Sequence, residues 1–267
     1  MYIDSHCHLD APEFGNEPAA LAAEAAASGV SWIVLPAVAR ANFSTVAQLA
    51  TNLPNCVYAL GIHPLFVPQA TESDLQLLRE TVAAAMKDQR FVAIGEIGLD
   101  FFVPELKLQA MREKQEFFYA EQLKIARDFD LPVILHVRRS QDTLLKYLRR
   151  FPVQGGIAHA FNGSQQQADR FIQLGFALGF GGAMTFTRAL QIRRLAASLP
   201  LTAIVLETDA PDISPAWLHP ARNTPAQIPQ IAAVLAELRG QPLALLAEQT
   251  TSNVARVLPR LGSLMMA

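Results

Sequence analysis

The chain alternates short apolar, β-branched runs with longer amphipathic segments eight times over, and few folds accommodate that order. The runs predict strands over residues 2–9, 31–37, 57–62, 91–97, 132–138, 156–160, 177–181 and 203–209. The segments between and after them predict helices over 18–28, 43–52, 73–87, 107–129, 141–151, 165–174, 189–198, 225–239 and 243–257. Strand followed by helix implies parallel strands, because a parallel neighbour is reached only by a crossover, and the crossover helices then cover the sheet from outside. Eight such units predict closure into a (β/α)8 TIM barrel, with a doubly wound open sheet as the alternative. The length of 267 residues suits one barrel. No Gly/Ser linker, charge block or low-complexity run divides the chain, so residues 1–267 are read as a single domain. With 51% hydrophobic and 17% charged residues there is ample material for one large core.

Several classes of function fall away on composition. No apolar stretch is long enough to span a bilayer, and the first residues lack the basic and apolar regions of a secretory signal, so a cytoplasmic protein without a membrane partner is expected. The two cysteines are too few for a disulfide framework. Cys7, between His6 and His8 on a predicted strand, should point away from both and be buried, as should Cys56. The net charge of -2 comes with no basic face, so a nucleic acid would be gripped locally at an end rather than wrapped. No obligate protein partner is indicated.

Of the six histidines, His6, His8, His63, His136 and His159 fall at or just beyond predicted strand ends. In a barrel those ends meet on one face, where active sites are built. A lone histidine there is commonly a hydrogen-bonded core residue, but five in register are not explained that way. His6 and His8 are two apart and share a face, the arrangement that grips a zinc-like ion, and Asp4 is expected to orient one of them. Glu96, in the run Gly95-Glu96-Ile97-Gly98-Leu99-Asp100, ends an apolar strand, where a carboxylate requires a cation or hydrogen bonds. It reads as a bridge between two metals, or alternatively as a partner of Arg138 or Lys107. His136 and Arg138 share the inner face of strand five, one as a ligand and the other as a cation suited to phosphate. His159 ends strand six, and Asp209 ends strand eight with Glu207 one layer below.

Six ligands, His6, His8, Glu96, His136, His159 and Asp209, are enough for two divalent ions, and their nitrogen and oxygen donors suit zinc, manganese or magnesium. Two metals about 3.5–4 Å apart can clamp both oxygens of a displacement at phosphorus. Barrel closure sets strand eight beside strand one, so Asp209 can reach the metal of His6 and His8 and also accept the proton of the attacking water.

The segment Asp4-Ser5-His6-Cys7-His8-Leu9-Asp10 resembles the opening motif of the TatD-type deoxyribonucleases, within the amidohydrolase-like group of metal-dependent barrels. Further motifs follow in order: Gly61-Ile62-His63-Pro64, the Glu96 run, His136-Val137-Arg138, His159-Ala160-Phe161-Asn162-Gly163, Glu207-Thr208-Asp209-Ala210-Pro211 and Arg222-Asn223-Thr224-Pro225. The resemblance runs from Asp4 to about Arg256. It implies His6, His8, Glu96 and Asp209 around one metal, and Glu96, His136 and His159 around the other. It also implies hydrolysis of DNA phosphodiesters, in several members from a 3′ end, with His63 and Arg222 binding substrate phosphate. Thr224 stands where the family usually has Glu. Asp212 stands where an apolar residue is usual, and its carboxylate bears on which substrate is accepted.

The expected substrate is therefore a DNA end or another phosphate ester, with Asp209 and Glu96 as the catalytic carboxylates. An esterase or amidase, acting for example on an aminoacyl ester of tRNA, is the alternative. Related barrels that act on amides often bridge their metals through a modified lysine, and Glu96 holds that place here. A metal-binding scaffold without turnover would be expected to lack a ligand, and none of the set is missing.

Overall fold

A computed structural model describes residues 1–266 of the chain. Eight strands lie in one parallel sheet in chain order: β1 (Tyr2–Asp4), β2 (Val30–Pro36), β3 (Cys56–Leu60), β4 (Phe91–Asp100), β5 (Val133–Arg138), β6 (Gly156–Ala158), β7 (Phe176–Phe180) and β8 (Ile204–Leu206). The sheet curls until its edges meet. Beyond Asp4 and Leu206 the two edge strands continue side by side: Ser5 N–H donates to the Leu206 carbonyl (3.0 Å), Asp209 N–H to His6 (2.8 Å) and His8 N–H to Ala210 (2.8 Å). These bonds satisfy edge groups that an open sheet would expose, and they make the fold the expected (β/α)8 barrel.

The helices pack outside: α1 (Pro18–Ala27), α2 (Phe43–Asn52), α3 (Glu72–Ala85), α4 (Gln109–Asp128), α5 (Gln141–Arg150), α6 (Gln165–Gln173), α7 (Leu190–Ser198) and α8 (Ile228–Arg239). Two more, α9 (Leu243–Val257) and α10 (Pro259–Met266), follow. The sequence pattern does not announce α10, because Pro259 reads as a stop and Gly262 as a breaker; here Pro259 is the helix's first residue, where its missing N–H costs nothing.

The strands have apolar contacts on both sides. Toward the helices, residues such as Ile33, Leu135, Leu178 and Leu206 form the larger core. Inside, Ile3, Val34, Val57, Val92, Ile134, Ile157, Ala177 and Val205, one from each strand, pack with Val254, Leu258 and Leu261 of the last two helices and their junction. The carboxyl-terminal segment thus plugs the lower end of the barrel, and Arg260 fixes it there by donating to the carbonyls of Phe91, Met86 and Asp88. Apolar filling below leaves the polar side chains to the upper mouth, at the carboxyl ends of the strands. Among the described residues no helix is long and apolar enough to cross a membrane. Cys7 and Cys56 are buried and unpaired with each other, as expected.

Candidate active site

The two-residue period of β5, β6 and β8 carries the inner face straight up to the mouth. Ile134 is followed by His136, Ile157 by His159, and Val205 by Glu207 and Asp209. In β1 the period breaks. The strand ends at Asp4 and the chain bends at Ser5. Ile3 fills the inner layer, and the next side chains over the mouth are His6 and His8. Asp4 therefore does not orient a ring. Its carboxylate accepts the N–H of His6 (3.3 Å), the N–H of Thr208 (2.9 Å) and the Thr208 hydroxyl (2.5 Å), tying β1 to the strand-eight segment. Burial pushes its carboxyl up to about 8, against the pull of those donors.

His6, His8, Glu96, His136, His159 and Asp209 all converge, and His63 stands among them. The Nε2 atoms of His6 and His8 are 3.2 Å apart. Buried Glu96 lies between two groups of donors. Its Oε2 is 3.1 Å from His6 Nε2 and 3.5 Å from His8 Nε2. Its Oε1 is 3.0 Å from His136 Nδ1, 3.3 Å from His63 Nε2 and 3.9 Å from His159 Nε2. Asp209 closes the far side, with Oδ1 3.6 Å from both His6 and His8 and Oδ2 3.8 Å from His159 Nε2.

For His159, His136 and His63, a hydrogen bond on the outer edge decides what the inward nitrogen carries. His159 Nδ1 meets Glu207 Oε1 at 3.1 Å, so in the neutral ring Nδ1 carries the proton and Nε2 is the lone-pair nitrogen toward the centre. Glu207 is itself held by the Ala160 N–H (2.6 Å) and fills the space over Gly179, where a Cβ would stand 2.0 Å from its Oε2. His136 is reversed: Nε2 meets Asp100 Oδ2 at 3.1 Å, leaving Nδ1 toward Glu96. Asp100 Oδ1 accepts the N–H groups of Phe102 (2.7 Å) and Val103 (3.0 Å). His63 is different again. Its Nδ1 accepts the Leu65 N–H (3.1 Å), which leaves the proton of a neutral ring on the inward Nε2. In that tautomer Nε2–H donates to His136 Nδ1 at 2.9 Å, and the ring stands with Glu96 and His136 in a group close enough to share an ion.

The electrostatics follow from crowding. Burial favours a neutral Glu96, but His63, His6 and His136 outweigh it and hold the carboxyl well below the usual range. Burial lowers His6 far below an ordinary imidazole and brings His63 down to about 4. Burial also opposes charge on His8 and His159, yet Glu96 and Asp209 carry His8 up to about 9, and Glu207 and Asp209 carry His159 to about 10. Burial raises Asp209 to about 6 despite the neighbouring histidines. Packing imidazole nitrogens and carboxylates this closely, with the His6 and His159 rings stacked at 3.7 Å, is costly unless a cation is shared among them. His6 Nδ1 is buried without a partner, so the polar neighbours of that ring all lie on its Nε2 side, toward the centre. The donor set fits a divalent metal.

A cavity of about 1160 Å³ opens above these groups, and Arg138 and Asp212 reach it. Arg138 is half-exposed, 3.8 Å from Asp100. Arg222 does not join the centre. It pairs with the Glu17 carboxylate, donates to the Glu13 carbonyl (2.7 Å) and lines a smaller side cavity of about 460 Å³ that shares Asp212 with the main one. Strand spacing does not single out Asp100 as the partner of His136; its place four residues after Glu96, at the end of the same Gly-Glu-Ile-Gly-Leu-Asp run, is the signal for it.

A parallel barrel with imidazoles and carboxylates gathered at the carboxyl ends of its strands is the architecture of a metal-dependent hydrolase. The chain belongs to the TatD-related DNase family, whose model matches residues 3–259. It is 40% identical over 253 residues to the uncharacterized metal-dependent hydrolase YjjV of Escherichia coli (strain K12), covering 94% of this chain and 95% of that one. The crystal structure of YjjV superposes with a TM-score of 0.90 at 39% identity, over 97% of this chain and 98% of that one. The 3′-5′ ssDNA/RNA exonuclease TatD of Klebsiella pneumoniae (strain 342) is 30% identical over 259 residues, 94% of this chain and 95% of that one.

Proposed function

We propose that this metal-dependent hydrolase is a deoxyribonuclease that removes nucleotides from the 3′ ends of DNA, using two divalent ions. The observation that carries the reading is the placement of Glu96: one carboxylate oxygen faces His6 and His8, the other faces His136 and His159. One ion would be held by His6, His8, Glu96 and Asp209, the other by Glu96, His136 and His159. Four imidazoles in the set favour zinc, with manganese next, over magnesium, which prefers oxygen donors. When bound, such ions polarise a phosphoryl oxygen and bring the pKa of water to about 7.

The remaining steps fall to the side chains. Asp209 lines the open cavity, so its carboxylate can take the proton of the attacking water and return it to the leaving oxygen. His63, with its proton on Nε2, donates to a phosphate oxygen entering beside Glu96. Arg138 stands at the mouth, where its planar fork suits a phosphate. Arg222 can reach a second phosphate only by exchanging Glu17 for it. The exonuclease activity named for the Klebsiella relative supports the same substrate class. Metal-loaded protein should shorten 5′-labelled single-stranded DNA stepwise from its 3′ end and leave a closed circle intact. Hydrolysis of an aminoacyl or carboxylic ester without any phosphodiester cleavage would overturn this reading.

A further inference from the structure

Consecutive residues of a strand point to opposite faces, yet the guanidinium groups of Arg138 and Arg139 lie over the same ring. Arg138 ends β5, and Arg139 takes a φ of 55°, which turns the chain out of the strand. The two guanidinium carbons stand 4.1 and 4.7 Å from the centre of the Phe102 ring, and Lys107 Nζ lies 5.8 Å from it. Phe102 is 39% exposed, so its ring and the two guanidinium groups against it stand at the surface of the rim. Its backbone N–H is bound by Asp100, the carboxylate that also meets His136, so this rim is fixed directly to the metal-ligand cluster. Phe102, Arg138 and Arg139 line the main cavity together with Glu96, His136 and Asp209.

The charge of the cavity is divided. Asp10, Glu13 and Asp212, which follow β1 and β8, line the lip that the barrel order places across from β4 and β5. A phosphate chain is repelled at that lip and attracted at the other. Guanidinium planes held against an aromatic ring keep their forks extended for phosphate, and their faces accept a base.

Resting on the nuclease reading, we propose that Arg139, positioned with Arg138 by Phe102, binds the phosphate upstream of the one cleaved, so that the DNA strand leaves the cavity over the β4–β5 rim. The side chain of Arg139 is exposed and forms no salt bridge among the described residues, so it is available for this contact. Phe102 acts as a positioning residue, and Arg139 as a determinant of preference for a chain over a single nucleotide.

The test is equilibrium binding of hydrolysis-resistant phosphorothioate oligothymidylates, from the dinucleotide to the hexanucleotide, to the metal-loaded full-length chain. The parent should tighten with length by about tenfold or more. Arg139→Ala should reduce that gain roughly five- to tenfold and make the salt dependence shallower by about 0.7 in log–log slope. Arg139→Glu should abolish the gain. Phe102→Leu should lose part of it and Phe102→Tyr should restore it, which general damage to the fold would not allow. A parent without a length gain, or a gain unchanged in both Arg139 variants, would overturn the platform. Length-dependent binding with no cleavage of end-labelled DNA would instead overturn the nuclease reading and leave the platform standing.

Discussion

Asp100 Oδ2 lies 3.1 Å from His136 Nε2, and this contact makes Nδ1, 3.0 Å from Glu96, the ring's lone-pair nitrogen. Asp100→Asn would offer an amide N–H to Nε2 and let the ring proton move to Nδ1, facing the centre. Removing an orienting partner of this kind costs about ten- to a hundredfold in metal affinity. If two ions bind as proposed, one should therefore become easier to remove by chelator titration, while the fold, read by circular dichroism, stays intact. Equal retention of both ions in Asp100→Asn and the parent would contradict the assigned tautomer.

Metal uptake should expel protons. Without a cation, burial opposes charge on His8 and His159, but the carboxylates around them keep the rings protonated up to about 9 and about 10. These rings, and His136, whose pKa is also raised, must be neutral to ligate, so binding near neutral pH releases protons and affinity rises with pH. Calorimetric heats measured in buffers of different ionisation enthalpy should differ accordingly. Heats independent of the buffer would rule out the linkage.

Arg138 and Arg222 should not be equivalent. Arg138 lines the main cavity, whereas Arg222 is occupied by Glu17 at the side. Loss of a charge-assisted phosphate contact is worth about 1.5–3 kcal/mol, roughly ten- to a hundredfold in kcat/KM. Arg138→Ala should fall in that range on a dinucleotide, and Arg222→Ala should lose less. The reverse order would mean that Arg222 leaves Glu17 when substrate binds and carries the main grip.

Asp209→Asn keeps the size of the side chain and an oxygen toward His6 and His8 but removes the charge and most of the basicity. Turnover should drop about 10²–10⁴-fold, the usual worth of a general base, at saturating metal. Activity within a few-fold of the parent, with metal content equal to the parent's, would end the proton-acceptor role.

How far the sequence could be read depended on the regularity of each strand. β5 keeps its two-residue period through His136, and the segments just beyond β6 and β8 carry His159 and Asp209 inward at the same spacing although the strands end at Ala158 and Leu206, so these three placements are legible from spacing. Around Asp4 the same rule misled, because β1 stops there and the bend at Ser5 shifts the inner face to Ile3 and then His6. Asp100 depends on tertiary register: β4 and β5 pair so that Gly98 faces His136 and Asp100 faces Arg138, an alignment no local pattern encodes. Arg222 sits in the long irregular segment after β8, where no period constrains a side chain. α10 is short and carries a glycine, and its reason to be helical is the open lower end of the barrel that it covers.

If Glu96 lies between two metals, anomalous scattering at the zinc edge from crystals of zinc-loaded protein should show two peaks flanking its carboxylate, one beside His6, His8 and Asp209 and the other beside His136 and His159. A single peak at full zinc occupancy, or a second peak away from Glu96, would contradict that arrangement.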